Sequence, residues 1–212
     1  VDQSTEKIWA CIYRLWFVIL IRPEWLLSYY FPAFEFLKSV PTILLYGIVF
    51  ASLSFSTKRY YYGLIGYFFV LYSVGMLIAT NYGVAKGGQR QLVDLFFLAM
   101  LSFTFANTDE RIKKILHLYL FYFLYIAIWG IQGKGLVRWD NFLNEEDAYG
   151  PMMCIGVAYS FFYYEAFKAG IYKWWGLTTM MLCAVGVVAS FARGAFICLV
   201  VVFLYLLALS EN

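Results

Sequence analysis

The fold is decided by an apolar tract near the carboxyl end of the chain, residues 174–209, which reads WWGLTTMMLCAVGVVASFARGAFICLVVVFLYLLAL. One charged residue, Arg193, interrupts this tract. Each half is apolar enough to form a hydrophobic helix, and the break between the two helices is predicted at Ala192 and Arg193. A guanidinium at membrane depth costs about 2.5–3.5 kcal/mol on insertion scales. We therefore expect Arg193 to pair with a partner group or to bind a ligand.

The composition extends this pattern to the whole chain. Of its 212 residues, 63% are hydrophobic and 14% are charged, and the apolar residues form long runs instead of alternating faces. These features predict an all-α, polytopic bundle with about eight transmembrane helices. Residues 1–212 are then a single integral membrane domain without room for a separate soluble domain.

The aromatic and charged residues refine the predicted class. Aromatic residues make up 22% of the chain, and many Tyr and Trp side chains lie at the ends of apolar runs, where such rings anchor at membrane interfaces. The net charge is only +3, and no basic block is present. Nucleic acid is therefore excluded as a partner, whereas membrane lipids are expected to surround the chain.

The predicted spans are joined by compact turns. Residues 26–37 are interrupted by Pro32 and Glu35, which favours an interfacial or re-entrant piece over a crossing. Only the connection at residues 132–151 exceeds a turn. The predicted crossings are residues 8–21, 40–55, 60–82, 92–106, 115–131, 152–167, 174–191 and 194–209.

The metal-ligating residue types are sparse. The four cysteines lie inside apolar runs without CxxC spacing, so they are predicted to be small buried hydrophobic residues. The single histidine, His117, has no second histidine or nearby cysteine to complete a metal site. We expect neither a metal nor a cofactor.

The first constellation with chemical potential is the segment from Ser190 to Ala195. Gly194 and Ala195 allow close approach of a backbone or a ligand, Ser190 can bond locally, and Arg193 offers a planar donor fork that matches phosphate oxygens. The alternative is an arginine that extends to the membrane interface between two consecutive helices. Spacing alone does not separate the two interpretations.

A second constellation joins two predicted spans and reads Lys86-Gly87-Gly88-Gln89-Arg90. Its glycines leave backbone N–H groups accessible between two cations, as phosphate-binding loops do. An ordinary polar turn is the favoured interpretation, because the ending and the preceding strand of a nucleotide-binding loop are both missing. Asp94 is expected to pair with Arg90 across one helical turn.

A third constellation is the acidic connection before the span at residues 152–167. Its carboxylates can accept hydrogen bonds from sugar hydroxyls, hold a cation or act as a general base, although a solvated loop is the favoured interpretation. Trp139 and a nearby tyrosine offer rings for sugar stacking. The candidate contacts to a glycan or an acceptor are Asp140, Glu145, Asp147 and Tyr149.

Three short motifs resemble those of the O-antigen ligase and polymerase superfamily. Ser190-Phe191-Ala192-Arg193-Gly194-Ala195 is similar to its Ser-Arg-Gly signature, and Asp147-Ala148-Tyr149-Gly150-Pro151 is similar to its acidic-Asn-Ala segment. Arg22-Pro23-Glu24-Trp25 resembles the O-glycosylation ligase branch. The position before the arginine is Ala192, where the family usually has Ser or Thr.

The resemblance implies a metal-independent membrane glycosyltransferase in the bacterial inner membrane. Such an enzyme moves a glycan from an undecaprenyl-diphosphate carrier to an acceptor on the periplasmic side. Arg193 would contact the diphosphate, with Lys86 and Arg90 as further contacts. The family's periplasmic loop with a second arginine and a catalytic histidine does not occur before Asn212. We therefore expect the N-terminal part of a longer ligase-like protein, in which the catalytic residues are not identified.

Two other functions stay open at this point. A non-catalytic subunit of a larger membrane complex would use the aromatic surfaces against partner helices and would pair Arg193 with a partner carboxylate. A transporter would also explain a charge within the membrane, but the chain shows no inverted repeat of the kind that many transporters have.

Overall fold

A computed structural model describes residues 3–41, 43–45, 47, 66–67, 70, 73–75, 108–140, 143–167 and 170–210. Within these residues the secondary structure is helical and contains no strand, which confirms the all-α prediction for this part of the chain. The helices are α1 (Gln3–Ile21), α2 (Pro23–Tyr30), a 3-10 helix (Pro32–Ser39), α3 (Asp109–Gln132), α4 (Glu146–Ala166), α5 (Ile171–Ala189) and α6 (Arg193–Ser210).

Several helices begin before the apolar runs that predicted them. Both α3 and α4 start with two acidic residues in the first turn, where negative charge interacts favourably with the helix dipole. The sequence predicts Pro151 at the end of a connection, but this residue lies inside α4. Because proline has no backbone N–H, the carbonyl of Asp147 receives no helical hydrogen bond from it. The break predicted at Pro32 is present, because α2 ends at Tyr30.

Two of the described helices are long and apolar enough to cross a membrane, Asp109–Gln132 and Ile171–Ala189. Two shorter apolar segments are Trp9–Ile21, within α1, and Arg193–Leu209, within α6. Length and composition therefore support membrane association. The predicted crossing at residues 92–106, and most of those at 40–55 and 60–82, lie outside the described residues.

The chain divides into two compact units. The first comprises residues 1–24 and 33–112, and the second comprises residues 25–32 and 113–212. In the second unit, α4 packs against both α5 and α6. Small residues permit this packing, since a Cβ atom added at Gly156 would lie 2.7 Å from the Sγ atom of Cys183 on α5. Cys154 and Cys183 are buried as predicted, whereas Cys11 and Cys198 are exposed.

In the first unit, an ion pair joins α1 to the first turn of α3. The Nη2 atom of Arg111 donates to the Oε1 atom of Glu6 at 2.6 Å, and the guanidinium carbon lies 5.4 Å from the centre of the Trp9 ring. Arg111 is buried and Glu6 is half-exposed. Burial of a guanidinium is tolerated because a carboxylate and an aromatic face accompany it.

We expect Glu6→Ala to lower the free energy of unfolding of the purified protein by about 1–2 kcal/mol, because Arg111 stays buried without this carboxylate. The adjacent exposed cation provides a control, and Lys7→Ala is expected to have little effect. Thermal unfolding of both variants in detergent measures the difference. Equal melting temperatures for the two variants would contradict a structural role of the pair.

The first unit also contains a buried carboxylate at the start of α2. Glu24 is 8% exposed, and its Oε2 atom has no hydrogen-bond partner among the described residues. Desolvation raises the pKa of Glu24, while a backbone hydrogen bond and the charge of Arg22 act in the opposite direction. Burial is the largest of these effects, so the folded state favours the protonated acid.

This raised pKa predicts that stability decreases as the pH rises. The folded state holds the Glu24 proton more tightly than the unfolded chain, so the associated stability is present below the usual pKa of 4.5 and is lost as the pH passes through the raised value. Glu24→Gln should remove this part of the pH dependence and stabilise the protein at neutral pH. Melting temperatures of both proteins across a pH series provide the measurement, and parallel curves would refute the assignment.

Candidate functional site

The two apolar helices α5 and α6 are separated by a short step, residues 190–192, directly before Arg193. α5 ends at Ala189 and α6 begins at Arg193. The Ser190 side chain is buried, and its Oγ atom donates to the Val187 carbonyl at 2.7 Å and accepts from the Ala192 amide at 3.3 Å. The local bonding predicted for Ser190 is thus confirmed. One hydroxyl bonds to the last turn of α5 and to the backbone that leads into α6.

Two glycines allow neighbouring segments to pack closely against this step. Gly135, in the connection after α3, has a φ of 89°, and an added Cβ atom would lie 2.5 Å from the Ala189 carbonyl oxygen. A Cβ atom at Gly150 on α4 would lie 2.9 Å from the Ser190 Oγ atom and 2.5 Å from the Cβ atom of Ala195. Neither position has room for a side chain, so the path of the step is fixed by its surroundings.

Arg193 is exposed at the first position of α6. Its guanidinium forms no ion pair or side-chain hydrogen bond with the residues that the structure describes. A positive charge at a helix N-terminus opposes the helix dipole, and the first backbone N–H groups of a helix lack intrahelical acceptors. A bound anion would satisfy both the guanidinium and this end of the helix. The arrangement is therefore suited to phosphate or diphosphate.

Phe191 is a feature of the step that the sequence analysis did not single out. Its φ of 53° places a bulky residue in the left-handed region, and its side chain is 82% exposed. Non-glycine residues held in this conformation carry roughly 1–3 kcal/mol of strain. The sequence offers no signal for it, since phenylalanine is ordinary in an apolar tract.

The acidic connection divides into buried and exposed residues. Asp140 is buried, and its carboxylate accepts a hydrogen bond from the Leu143 amide at 3.0 Å. Tyr149 is fully buried, and its hydroxyl donates to the Ala127 carbonyl at 3.4 Å. These two candidates for glycan contact thus have structural roles here, because neither presents a free surface. Glu145 and Asp147 are exposed, as a ligand contact requires.

Trp139, in the same connection, packs in an aromatic cluster with two rings of α3. Its ring centre lies 5.8 Å from that of Tyr125 and 6.3 Å from that of Trp129, both on α3. Trp139 is buried, and its indole Nε1 atom has no hydrogen-bond partner within the described part of the chain. This ring, a candidate for sugar stacking, is therefore packed against α3 in the structure.

The other candidate residues lie outside this arrangement. Lys86, Arg90 and Asp94 belong to residues that the structure does not describe. Across the described residues, no group of three or more His, Cys, Asp or Glu side chains is arranged to hold a metal ion. His117 packs among aromatic rings, the nearest being that of Tyr172 with its centre 4.6 Å away.

Comparison with known proteins identifies no relative of this chain. No protein-family model, no curated protein and no solved structure matches it. The resemblance to O-antigen ligases therefore remains a prediction from the three short motifs and from the position of Arg193.

The packing beneath the step is tested by two glycine substitutions. Gly150→Ala should destabilise the protein by about 1–3 kcal/mol, since the new methyl group overlaps with Ala195 and the Ser190 hydroxyl. Gly194→Ala is the matched control, because no atom lies within 4 Å of its added Cβ atom. It should be neutral or stabilising by up to about 1 kcal/mol. Thermal unfolding in detergent compares the two, and a harmless Gly150→Ala would show that the step is not closely packed.

Proposed function

We propose that this chain binds the lipid carrier in an O-antigen-ligase-like membrane glycosyltransferase. In this proposal it is a multi-pass protein of the bacterial inner membrane that holds an undecaprenyl-diphosphate-linked glycan at its periplasmic face. The observation that carries the proposal is the exposed guanidinium of Arg193, at the first position of α6. This guanidinium has no protein partner among the described residues.

The chemistry of glycan transfer explains why such a guanidinium would be useful. When the sugar leaves its carrier, negative charge develops on the diphosphate, and fixed positive groups stabilise that charge in the transition state. Arginine keeps its charge at all relevant pH values and can donate two parallel hydrogen bonds to phosphate oxygens. A diphosphate held in this way does not require a metal ion as its counter-charge. Lys86 and Arg90 are proposed as additional contacts.

The exposed part of the acidic connection supplies the proposed polar side of the site. Glu145 and Asp147 lie at the start of α4, the helix whose Gly150 packs against Ser190. They are thus close in the chain to a residue that contacts the step before Arg193. We assign to them the hydrogen bonds to glycan or acceptor hydroxyls, because carboxylates accept such bonds. Asp140 and Tyr149 support the connection from within.

The outer face of α6 supports a membrane location. Large apolar side chains on this helix remain exposed after packing against α4, among them Ile197, Val201 and Leu204. Exposed apolar patches of this kind favour contact with lipid or with another protein. Together with the two long apolar helices α3 and α5, they support the proposal of a multi-pass bundle.

The proposal predicts that Arg193→Ala weakens binding of a polyprenyl diphosphate by roughly 10- to 100-fold, the equivalent of losing charge-assisted hydrogen bonds. Arg193→Lys should retain part of the affinity, because the charge remains while the paired donors are lost. Lys114→Ala is the control, because it removes an exposed cation near the N-terminal end of α3 and should not change binding. Titration of the purified chain in nanodiscs measures all four proteins.

Unchanged affinity in Arg193→Ala would reject the proposed site. The second candidate function, a non-catalytic subunit, is favoured by the exposed apolar face of α6. It predicts that the chain purifies in a stoichiometric complex, and that Arg193→Ala weakens this complex without affecting diphosphate binding. Measuring both properties in the same variant therefore separates the two functions.

A further inference from the structure

The backbone at Phe191 turns the chain so that neighbouring side chains point in different directions. Ser190 and Ala192 are buried on either side of it, whereas Phe191 is the residue of the step that faces outward. The buried neighbours make the contacts that end α5 and lead into α6. The Phe191 ring itself is not needed for this packing.

A glycine would adopt the same backbone conformation without strain. The presence of phenylalanine at a φ of 53° therefore calls for a reason outside the packing of the step. Strained residues of this kind occur at ligand-binding positions, where the conformation directs a side chain towards its target. The outward-facing aromatic ring is the property that glycine would lack.

One short segment carries two complementary groups, the aromatic ring of Phe191 and the guanidinium of Arg193. Both side chains are exposed, and only the buried Ala192 separates them in the chain. An aromatic ring contacts hydrocarbon, and a guanidinium binds phosphate oxygens. The ligand that uses both is a lipid in which the phosphate group follows directly on the hydrocarbon chain.

We infer that Phe191 is a specificity-determining residue that contacts the first isoprenoid units of the carrier lipid while Arg193 holds its diphosphate. This inference rests on the proposed function. Phe191 then discriminates between a prenyl diphosphate and a diphosphate without a lipid chain. Phe191 contributes binding energy only when the hydrocarbon is present, because its ring has no polar group to offer the phosphate.

The test compares farnesyl diphosphate with inorganic diphosphate as ligands of the purified chain in nanodiscs. Phe191→Ala and Phe191→Gly should each weaken farnesyl diphosphate binding about 10-fold, as expected for loss of a buried aromatic contact. Neither variant should change the affinity for inorganic diphosphate. Phe203→Ala removes another exposed phenylalanine, 38% exposed on the same helix as Arg193, and should leave both affinities unchanged.

The glycine variant also verifies that the residue is strained. Phe191→Gly should melt at a higher temperature than Phe191→Ala, because glycine adopts the left-handed conformation without cost. A loss of farnesyl diphosphate binding in both variants, despite this difference in stability, assigns the effect to the ring. A loss in the alanine variant alone would assign it to the backbone and overturn the inference.

The outcomes separate this inference from the proposed function. If inorganic diphosphate binds through Arg193 but both Phe191 variants retain full affinity for farnesyl diphosphate, Phe191 is an ordinary membrane-facing residue and only the inference fails. Equal loss of both ligands in the Phe191 variants would also overturn it. If Arg193→Ala changes the binding of neither ligand, the proposed function and the inference fail together.

Discussion

The buried hydroxyl of Ser190 is the interaction on which the candidate site depends. It bonds to the end of α5 through Val187 and to the backbone leading into α6 through Ala192, so it sets the point at which an apolar tract is divided into two helices. The thiol of Cys154 on α4 donates to the Ala195 carbonyl at 3.3 Å and holds the first turn of α6. With both ends of the step bonded to the interior, the exposed position of Arg193 follows from the packing beneath it.

Much of this fold follows from the sequence, because apolar runs correspond to helices wherever the structure describes them. The ends of the helices depend on features that hydropathy does not contain. α4 begins at Glu146 and includes Pro151, whereas the apolar run begins only at residue 152. The two acidic residues of the first turn favour this earlier start, because negative charge stabilises the N-terminus of a helix. The ion pair of Glu6 and Arg111 joins residues that are distant in the chain. The burial of Arg111 arises from tertiary packing, which no local sequence pattern predicts.

The candidate site was predictable to a similar extent. The cost of a charge within an apolar tract singled out Arg193, and the structure places it on the surface at the start of a helix. Asp140 and Tyr149 are candidate ligand contacts in the sequence, where a solvated loop is the favoured interpretation, and both are buried in the structure. Tyr149 fits between helices because Gly130 and Gly186 leave room for its ring. Such a fit between a large side chain and glycines on other helices becomes visible only when the helices are assembled.

The residues of the step differ in what they contribute to folding. Ser190 and Ala192 satisfy local bonding and packing, whereas Phe191 carries strain and Arg193 places positive charge at the unfavourable end of a helix dipole. Sequences that fold well avoid conflicts of this kind, and functional sites are where exceptions are expected. The proposed amphiphilic diphosphate would offset both costs at once, because its charge would complement the helix terminus and its contact with the Phe191 ring would favour the strained conformation. A ligand that explains two adjacent conflicts is a stronger hypothesis than separate explanations for each.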